Sequence, residues 1–243
     1  MLVITVNRRA RRRFAAGLSL LVLFLLVLIS VRTTPSPEAV EVVGGPITRV
    51  ENEEAVALTF DVVDGAEEVE DVLEILKEHN AYVTFFVTGN WAVANPDTVE
   101  LLARSGQEIG TLGYRYINLS QYPRETIEDS LLSGKEAIER LIGGPVSLFR
   151  PPNGEYDERV LAMAEILDLQ TVLWQVDSQD VSSSDPAYVT QRVLSRAAPG
   201  GIIRMRITGG AETTLKALPA ILTGLKEVGL KVAPVGTVLG EAR

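Results

Sequence analysis

The residue best placed for chemistry is Asp61, a carboxylate that follows the short apolar run Leu58-Thr59-Phe60. A turn, an amphipathic segment and a second apolar run at 82–87 come next. This order is typical of a strand, a helix and a second, parallel strand. Because functional side chains gather at the carboxyl ends of parallel strands, we expect Asp61 to be a candidate general acid or base.

Two residue counts restrict the chemistry. The chain has no cysteine, which excludes disulfides, thiolate metal ligands and a cysteine nucleophile. Its one histidine, His79, follows a predicted helix and is expected to lie near the negative end of that helix dipole. A mechanism that needs two histidines is therefore not open to this chain.

The elements that position Asp61 alternate between strand and helix. Seven strands are predicted, with helical patterns between most of them, at 55–60, 82–87, 108–112, 146–150, 171–176, 201–206 and 230–235. Such alternation predicts a parallel sheet in an α/β fold, either doubly wound or closed as a barrel. No internal repeat or second folded domain is indicated, and the main domain is expected at 55–243.

The amino terminus has a different character. Residues 1–13 are a basic tail, and residues 14–31 form an unbroken apolar run. Eighteen helical residues span roughly 27 Å, close to the thickness of a bilayer core. We expect an uncleaved single-pass anchor rather than a cleaved signal peptide, with the domain outside the cytoplasm. Residues 32–54 are expected to be a linker with a possible edge strand at 47–50.

Charge narrows the set of partners. Of the 23 basic residues, six arginines lie in residues 1–32, which hold no acid, so the remainder carries 17 basic against 32 acidic residues. An acidic body argues against nucleic acid as a partner. It leaves open a neutral polymer such as a glycan.

Five segments resemble the motifs of the polysaccharide deacetylases with a NodB-homology domain, in order and in spacing. The chain is most similar to the sporulation-type branch of that family, over about residues 47–240. The segments are Leu58-Thr59-Phe60-Asp61, Thr84-Phe85-Phe86-Val87, Glu108-Ile109-Gly110, Leu148-Phe149-Arg150-Pro151-Pro152-Asn153-Gly154-Glu155-Tyr156 and Leu173-Trp174-Gln175-Val176-Asp177-Ser178-Gln179-Asp180. The resemblance implies a distorted (β/α) barrel of about seven strands. It also implies hydrolysis of an N-acetyl amide on peptidoglycan or chitin, assisted by a divalent metal, usually zinc.

Some of the implied catalytic positions are retained and others are replaced. By this resemblance Asp61 is the general base, Arg150 holds the base, and Asp180 orients the acid. The metal-ligand positions are occupied by Val62, Leu112 and Tyr116, and the position of the acid histidine by Arg206. Valine and leucine have no lone pair to offer a metal, and arginine does not release its proton near neutral pH.

We therefore expect no metal cofactor, and we interpret the remaining charges as two ion pairs, Asp61 with Arg150 and Asp180 with Arg206. Candidate substrate-binding residues come from the motif segments and from aromatic side chains that could lie against a pyranose ring. They are Trp91, Tyr114, Tyr116, Pro151, Asn153 and Tyr156.

Three functions remain open. The first is a degenerate deacetylase that binds cell-wall glycan or a protein partner at the membrane. The second is an active deacetylase with a rebuilt site that uses Asp61, Asp64 and Tyr116, together with zinc or another divalent metal. The third is a role only in assembly in a sporulating bacterium, through the anchor.

Overall fold

The computed structural model describes residues 45–49, 54–63 and 65–240. The predicted basic tail at 1–13, the predicted anchor at 14–31 and most of the predicted linker lie outside these residues, as does Asp64. No helix within the described ranges is long and apolar enough to cross a membrane.

The described chain alternates between strands and helices as predicted. The strands are β1 Ala55–Val62, β2 Thr84–Val87, β3 Glu108–Thr111, β4 Leu148–Phe149, β5 Gln170–Thr171, β6 Val176–Asp177, β7 Ile202–Ile207 and β8 Lys231–Ala233. The helices are α1 Ala66–Glu78, α2 Gly89–Ala94, α3 Pro96–Arg104, α4 Arg124–Ile142, α5 Glu158–Ile166, α6 Pro186–Leu194, α7 Glu212–Glu227 and α8 Val235–Val238. Short 3₁₀ turns occur at Leu119–Gln121 and Pro152–Gly154. The short helices α2 and α8 have no counterpart in the sequence prediction.

The strands form one parallel sheet that curls into a partly closed barrel. The order across the sheet is β5-β4-β3-β2-β1-β7-β6, and β8 pairs with the beginning of β1. The central strand β1 is buried along its whole length, between β2 on one side and β7 on the other. This arrangement confirms the α/β class and brings the carboxyl ends of the strands to one mouth.

The single strand predicted at 171–176 is wrong. The chain forms β5 and β6 there as two separate strands, and the segment 45–49 lies between the two edges of the sheet. Ile47 pairs in parallel with Val172, and Arg49 pairs antiparallel with Gly201. The predicted edge strand at 47–50 is thus reduced to two isolated bridges, which help to close the barrel.

Two apolar clusters hold the fold together. The larger one lies between the sheet and the surrounding helices and includes Phe60, Phe85 and Leu131. The smaller one fills the barrel interior with residues that include Phe86 and Leu112. Because side chains alternate across each strand, neighbouring residues of one strand join different clusters.

The segment that follows β3 is fastened to α4. The backbone nitrogen of Tyr114 donates to the carbonyl oxygen of Ser130 at 2.9 Å. A Cβ atom on Gly134 would lie 2.6 Å from the backbone of Gly113, so α4 approaches as closely as it does because residue 134 lacks a side chain. His79 caps α1, where its Nδ1 contacts the carbonyl oxygen of Ile75 at 2.9 Å, in agreement with its predicted place at a helix end.

Candidate functional site

Asp61 lies at the barrel mouth, near the carboxyl end of β1. It faces the barrel interior together with Thr59 and Ala57, because alternate residues of a strand share a face. Its neighbour Val62 packs outward with the helices. Only 1% of Asp61 is exposed, although it is a carboxylate. Its charge must therefore be balanced by buried partners.

The first partner is Arg150, which follows β4 and is fully buried. Its Nη1 donates to Oδ1 of Asp61 at 2.7 Å and to Oγ1 of Thr59 at 2.8 Å. Its other nitrogens donate to the carbonyl oxygens of Val172, at 3.3 Å, and Leu173, at 3.1 Å. The predicted Asp61–Arg150 ion pair is confirmed, and its geometry fixes the guanidinium group from three sides.

The second partner is Arg204 on β7, a residue that the sequence interpretation did not include. Its Nε lies 2.9 Å from Oδ2 of Asp61, but the N–H is not directed at the oxygen, so the contact is an ion pair without a hydrogen bond. Its Nη1 lies 3.6 Å from Oδ2 of Asp177. Its guanidinium carbon sits 4.0 Å from the ring centroid of Trp174, a cation–π contact.

A signal for Arg204 exists in the sequence. In Ile202-Ile203-Arg204-Met205-Arg206 the two arginines are two residues apart within an apolar strand. A spacing of two places both side chains on one face, and the second of them occupies the position of the catalytic acid. Arg204 could therefore have been placed at the mouth by the strand period alone.

Asp61, Arg150 and Arg204 form a buried cluster with one negative and two positive charges. Burial lowers the pKa of Arg150, the carboxylate of Asp61 acts in the opposite direction, and the like charge of Arg204 adds to the lowering. The carboxylate of Asp61 offsets one of these two positive charges, and Oδ2 of Asp177 lies 3.6 Å from Arg204. Removing one partner of such a buried group leaves an uncompensated charge.

The predicted Asp180–Arg206 ion pair is wrong. Asp180 is buried, but its Oδ2 accepts from the backbone nitrogen of Arg206 and from Oγ1 of Thr214, both at 2.8 Å. Its Oδ1 accepts from the backbone nitrogen of Val181 at 3.1 Å. Neutral donors thus satisfy the carboxylate of Asp180. At Arg206 on β7, the backbone N–H, and not the guanidinium group, is directed at this carboxylate.

The positions implied to bind a metal do not form a donor set. Val62 and Leu112 are fully buried in the two apolar clusters. Tyr116 packs against the inner cluster, and its hydroxyl donates to Oδ1 of Asn153 at 3.2 Å. Burial, followed by the charge of Asp61, raises the pKa of Tyr116, against the effects of Arg204 and Arg206. The phenol therefore stays protonated near neutral pH and is not a phenolate ligand.

A zinc ion does not fit these residues. No cluster of three histidine, cysteine, aspartate or glutamate side chains suited to a metal occurs in the part of the chain that the structure describes. The one buried carboxylate at the implied base position, Asp61, has both oxygens against guanidinium groups. We derive no metal-dependent step for this site.

The candidate sugar-binding residues do not all face the mouth. Trp91 is 6% exposed and belongs to the core between sheet and helices, so its ring face is not accessible to a sugar. The ring of Tyr114 packs over Gly89 at the beginning of α2. Pro151 is buried beside Arg150. The burial of Trp91 and Pro151 argues against direct contact with a substrate, whereas Tyr114 is half-buried and stays a predicted substrate contact.

Asn153 and Tyr156 are exposed near the mouth. Asn153 has a φ of 57°, and its backbone nitrogen donates to the hydroxyl of Tyr116 at 3.3 Å, in return for the bond to its side chain. Asparagine tolerates this left-handed conformation better than most residues. Tyr156 is 39% exposed. Together with Tyr116, these residues remain predicted substrate contacts.

The fold and the mouth together identify the class. The chain belongs to the polysaccharide deacetylase family, whose sequence profile matches residues 48–172. It is 31% identical over 191 residues to a peptidoglycan-N-acetylglucosamine deacetylase of Bacillus cereus, with 77% of this chain and 89% of that protein covered.

Two more particular similarities are to an uncharacterized protein and to a described pseudoenzyme. The chain is 32% identical over 188 residues to the uncharacterized protein YlxY of Bacillus subtilis, which covers 77% of this chain and 58% of YlxY. It also resembles the crystal structure of BA3943, a CE4 family pseudoenzyme from Bacillus anthracis. That structure has a TM-score of 0.77 and 33% identity, and the match covers 82% of this chain and 70% of BA3943. A BA3943 mutant with the same TM-score and 34% identity is described as having restored enzymatic activity.

Proposed function

We propose that this chain is a catalytically degenerate polysaccharide deacetylase that binds N-acetylated cell-wall glycan at the barrel mouth. The glycan class is supported by the relatives named as peptidoglycan deacetylases. The loss of activity is supported by the replacement of the metal ligands and by the similarity to a described pseudoenzyme. Sequence similarity to a peptidoglycan-N-acetylmuramic acid deacetylase of Bacillus subtilis is compatible with the sporulation-type branch.

The observation that carries this proposal is the state of Asp61. A general base must come within hydrogen-bond reach of the proton that it removes. Asp61 is 1% exposed, its Oδ1 accepts from Arg150, and its Oδ2 is shielded by Arg204. No oxygen of this carboxylate is open to a water molecule at the mouth. The base position is thus retained in sequence while its chemistry is blocked.

The proposal includes anchoring at the membrane. It is supported by the apolar run at 14–31 and the arginines that precede it, which favour a cytoplasmic amino terminus and an extracytoplasmic domain. A single-pass anchor would hold a glycan-binding domain next to the wall.

The alternative is an active deacetylase with a rebuilt site. It is favoured by one observation, the intact hydrogen bond between Arg150 and Asp61. In that case Arg204 would have to leave Asp61 when substrate binds, and a divalent metal would need ligands other than Val62 and Leu112.

Measuring acetate release decides between the two functions. The purified full chain is incubated with N-acetylated peptidoglycan and with chitin oligomers, with and without added Zn²⁺, and binding of both glycans is measured in parallel. We expect binding without acetate release. Metal-dependent acetate release that disappears in the Asp61→Asn variant would overturn the proposal, whereas release that persists in this variant would indicate a contaminating enzyme.

A further inference from the structure

Among the residues that the structure describes, Arg206 is a charged group near the mouth whose side chain makes no hydrogen bond or ion pair. It lies opposite Asp61 in the register of β1 and β7, on the same inward face as Arg204. Its Nε is buried and makes no hydrogen bond, and no carboxylate of the described residues forms an ion pair with it. A buried donor without a partner is costly and calls for an explanation.

The two nearest carboxylates cannot supply that partner. Asp61 is engaged by Arg150 and Arg204. Asp180 accepts from three neutral donors, one of which is the backbone nitrogen of Arg206 itself. The guanidinium group of Arg206 therefore remains a half-buried cation with unused hydrogen-bond donors.

The surroundings of Arg206 suit a sugar that carries a negative charge. Arg206 lies opposite Asp61 on the strand face that also carries Arg204, and the charges of all three residues influence the pKa of Tyr116. The phenol of Tyr116 bonds to the exposed Asn153, so the mouth offers an aromatic ring and an amide as well as the cation. An aromatic ring suits a pyranose face, and a guanidinium group suits a carboxylate, which it can bind through two parallel hydrogen bonds.

From this arrangement we infer that the mouth is a subsite for a carboxylate-bearing amino sugar, with Arg206 as the residue that binds the carboxylate. The inference rests on the proposed glycan binding and names the class of sugar at that site. A hydrogen bond to a charged group contributes about 1.5–3 kcal/mol, which corresponds to roughly a 10- to 150-fold preference over the uncharged sugar.

Two oligosaccharides of equal length provide the test. One is a chitin tetrasaccharide, which is neutral, and the other is a peptide-free tetrasaccharide of alternating N-acetylglucosamine and N-acetylmuramic acid, which carries lactyl carboxylates. Affinities for the full chain are measured by calorimetry at low and at physiological salt. We expect the acidic tetrasaccharide to bind at least tenfold more tightly, with a preference that decreases as salt rises.

Variants assign the preference to one side chain. Arg206→Gln should remove the preference, so that the acidic and the neutral tetrasaccharide bind with the same affinity, and Arg206→Lys should retain part of the preference. Arg104→Gln is the matched control, since Arg104 is an exposed arginine paired only with Glu100 on α3 and its loss changes the net charge equally. Circular dichroism verifies that the variants are folded.

Several outcomes overturn the inference. Among them are equal affinity for the two oligomers, a preference that survives in Arg206→Gln, and an affinity for the acidic tetrasaccharide that does not change when its carboxylates are methylated. Tighter binding of a phosphate-bearing wall polymer than of the acidic tetrasaccharide would also contradict the assignment to a carboxylate. Acetate release alone would refute only the proposed loss of catalysis. Failure of both oligomers to bind would refute the proposed glycan binding, and the inference with it.

Discussion

Arg204 should change from a stabilising to a destabilising residue when Asp61 loses its charge. In the native cluster, Arg204→Met leaves the Asp61–Arg150 pair intact but deprives Oδ2 of Asp61 of its cation and removes the contact with Trp174. We expect this variant to lower the free energy of unfolding by about 1–3 kcal/mol.

Asp61→Asn should be more harmful, because it leaves Arg150 and Arg204 buried together without their counterion. Loss of one member of a buried ion pair typically costs about 3–5 kcal/mol. In that background Arg204→Met should cost nothing or raise stability. The remaining partners of Arg204 are the ring of Trp174 and the carboxylate of Asp177, which is 3.6 Å away and 29% exposed. Each of these contacts contributes about 1 kcal/mol or less, which does not offset an unpaired buried charge.

The measurement is a double-mutant cycle by urea unfolding, followed by tryptophan fluorescence and by circular dichroism. Two probes are needed because Trp174 contacts Arg204 and its emission will respond to the substitution itself. Arg104→Met serves as the control, since an exposed helix pair should cost less than about 0.5 kcal/mol in either background. If the effects of Arg204→Met and Asp61→Asn add to within about 0.5 kcal/mol, the three side chains do not form a coupled charge cluster.

Three further predictions concern residues of the segments that support the barrel mouth. Gly134→Ala should lower the free energy of unfolding by about 1–3 kcal/mol, because the new Cβ would meet the backbone of Gly113. Gly144→Ala is the control and should be nearly neutral in a thermal melt, since a Cβ at that position meets nothing within 4 Å. Thr214→Val should lower the free energy of unfolding in urea by about 1.5–3 kcal/mol, since the carboxylate of Asp180 loses a hydroxyl donor. An unchanged free energy of unfolding would mean that water replaces the hydroxyl. The raised pKa of Tyr116 predicts that this phenol contributes fully to stability below pH 10 and that the contribution is lost as the pH rises through the raised pKa. In an ultraviolet titration, the step at the highest pH should be absent from the Tyr116→Phe variant. If a step at lower pH is absent instead, the phenol of Tyr116 does not have the raised pKa that its burial produces.

The fold could be predicted from the sequence because its pattern is simple. Alternating apolar runs and amphipathic segments determine a parallel sheet, and the carboxylate at the end of the first run marks the mouth. The pair of Asp61 with Arg150 followed from the family motifs. The break between β5 and β6 did not, because the run at 171–176 is mostly apolar and has no glycine or proline to mark an interruption. In the fold, Ile47 pairs with Val172 within that run.

The errors at the site have a common physical origin. The sequence indicates which strand carries a residue. It does not indicate whether the backbone or the side chain of that residue makes the contact in the folded chain. Asp180 accepts from the backbone nitrogen rather than the guanidinium group of Arg206, and the hydroxyl of Thr214 from α7 donates to the same carboxylate oxygen. The residue type of Trp91 suits contact with a sugar ring, whereas helix α2 places its side chain in the core between sheet and helices.

The replacements at the mouth form a consistent set only when Arg204 is included. Restoring donors at Val62, Leu112 and Tyr116 would supply lone pairs for a metal, but both oxygens of Asp61 would still face guanidinium groups. If the proposed loss of catalysis holds, we expect reactivation to need an apolar residue at position 204 as well as new ligands, so that Asp61 keeps Arg150 as its single buried partner. In that case Arg204 separates a site that only lacks metal ligands from a site whose base position is also engaged by two guanidinium groups.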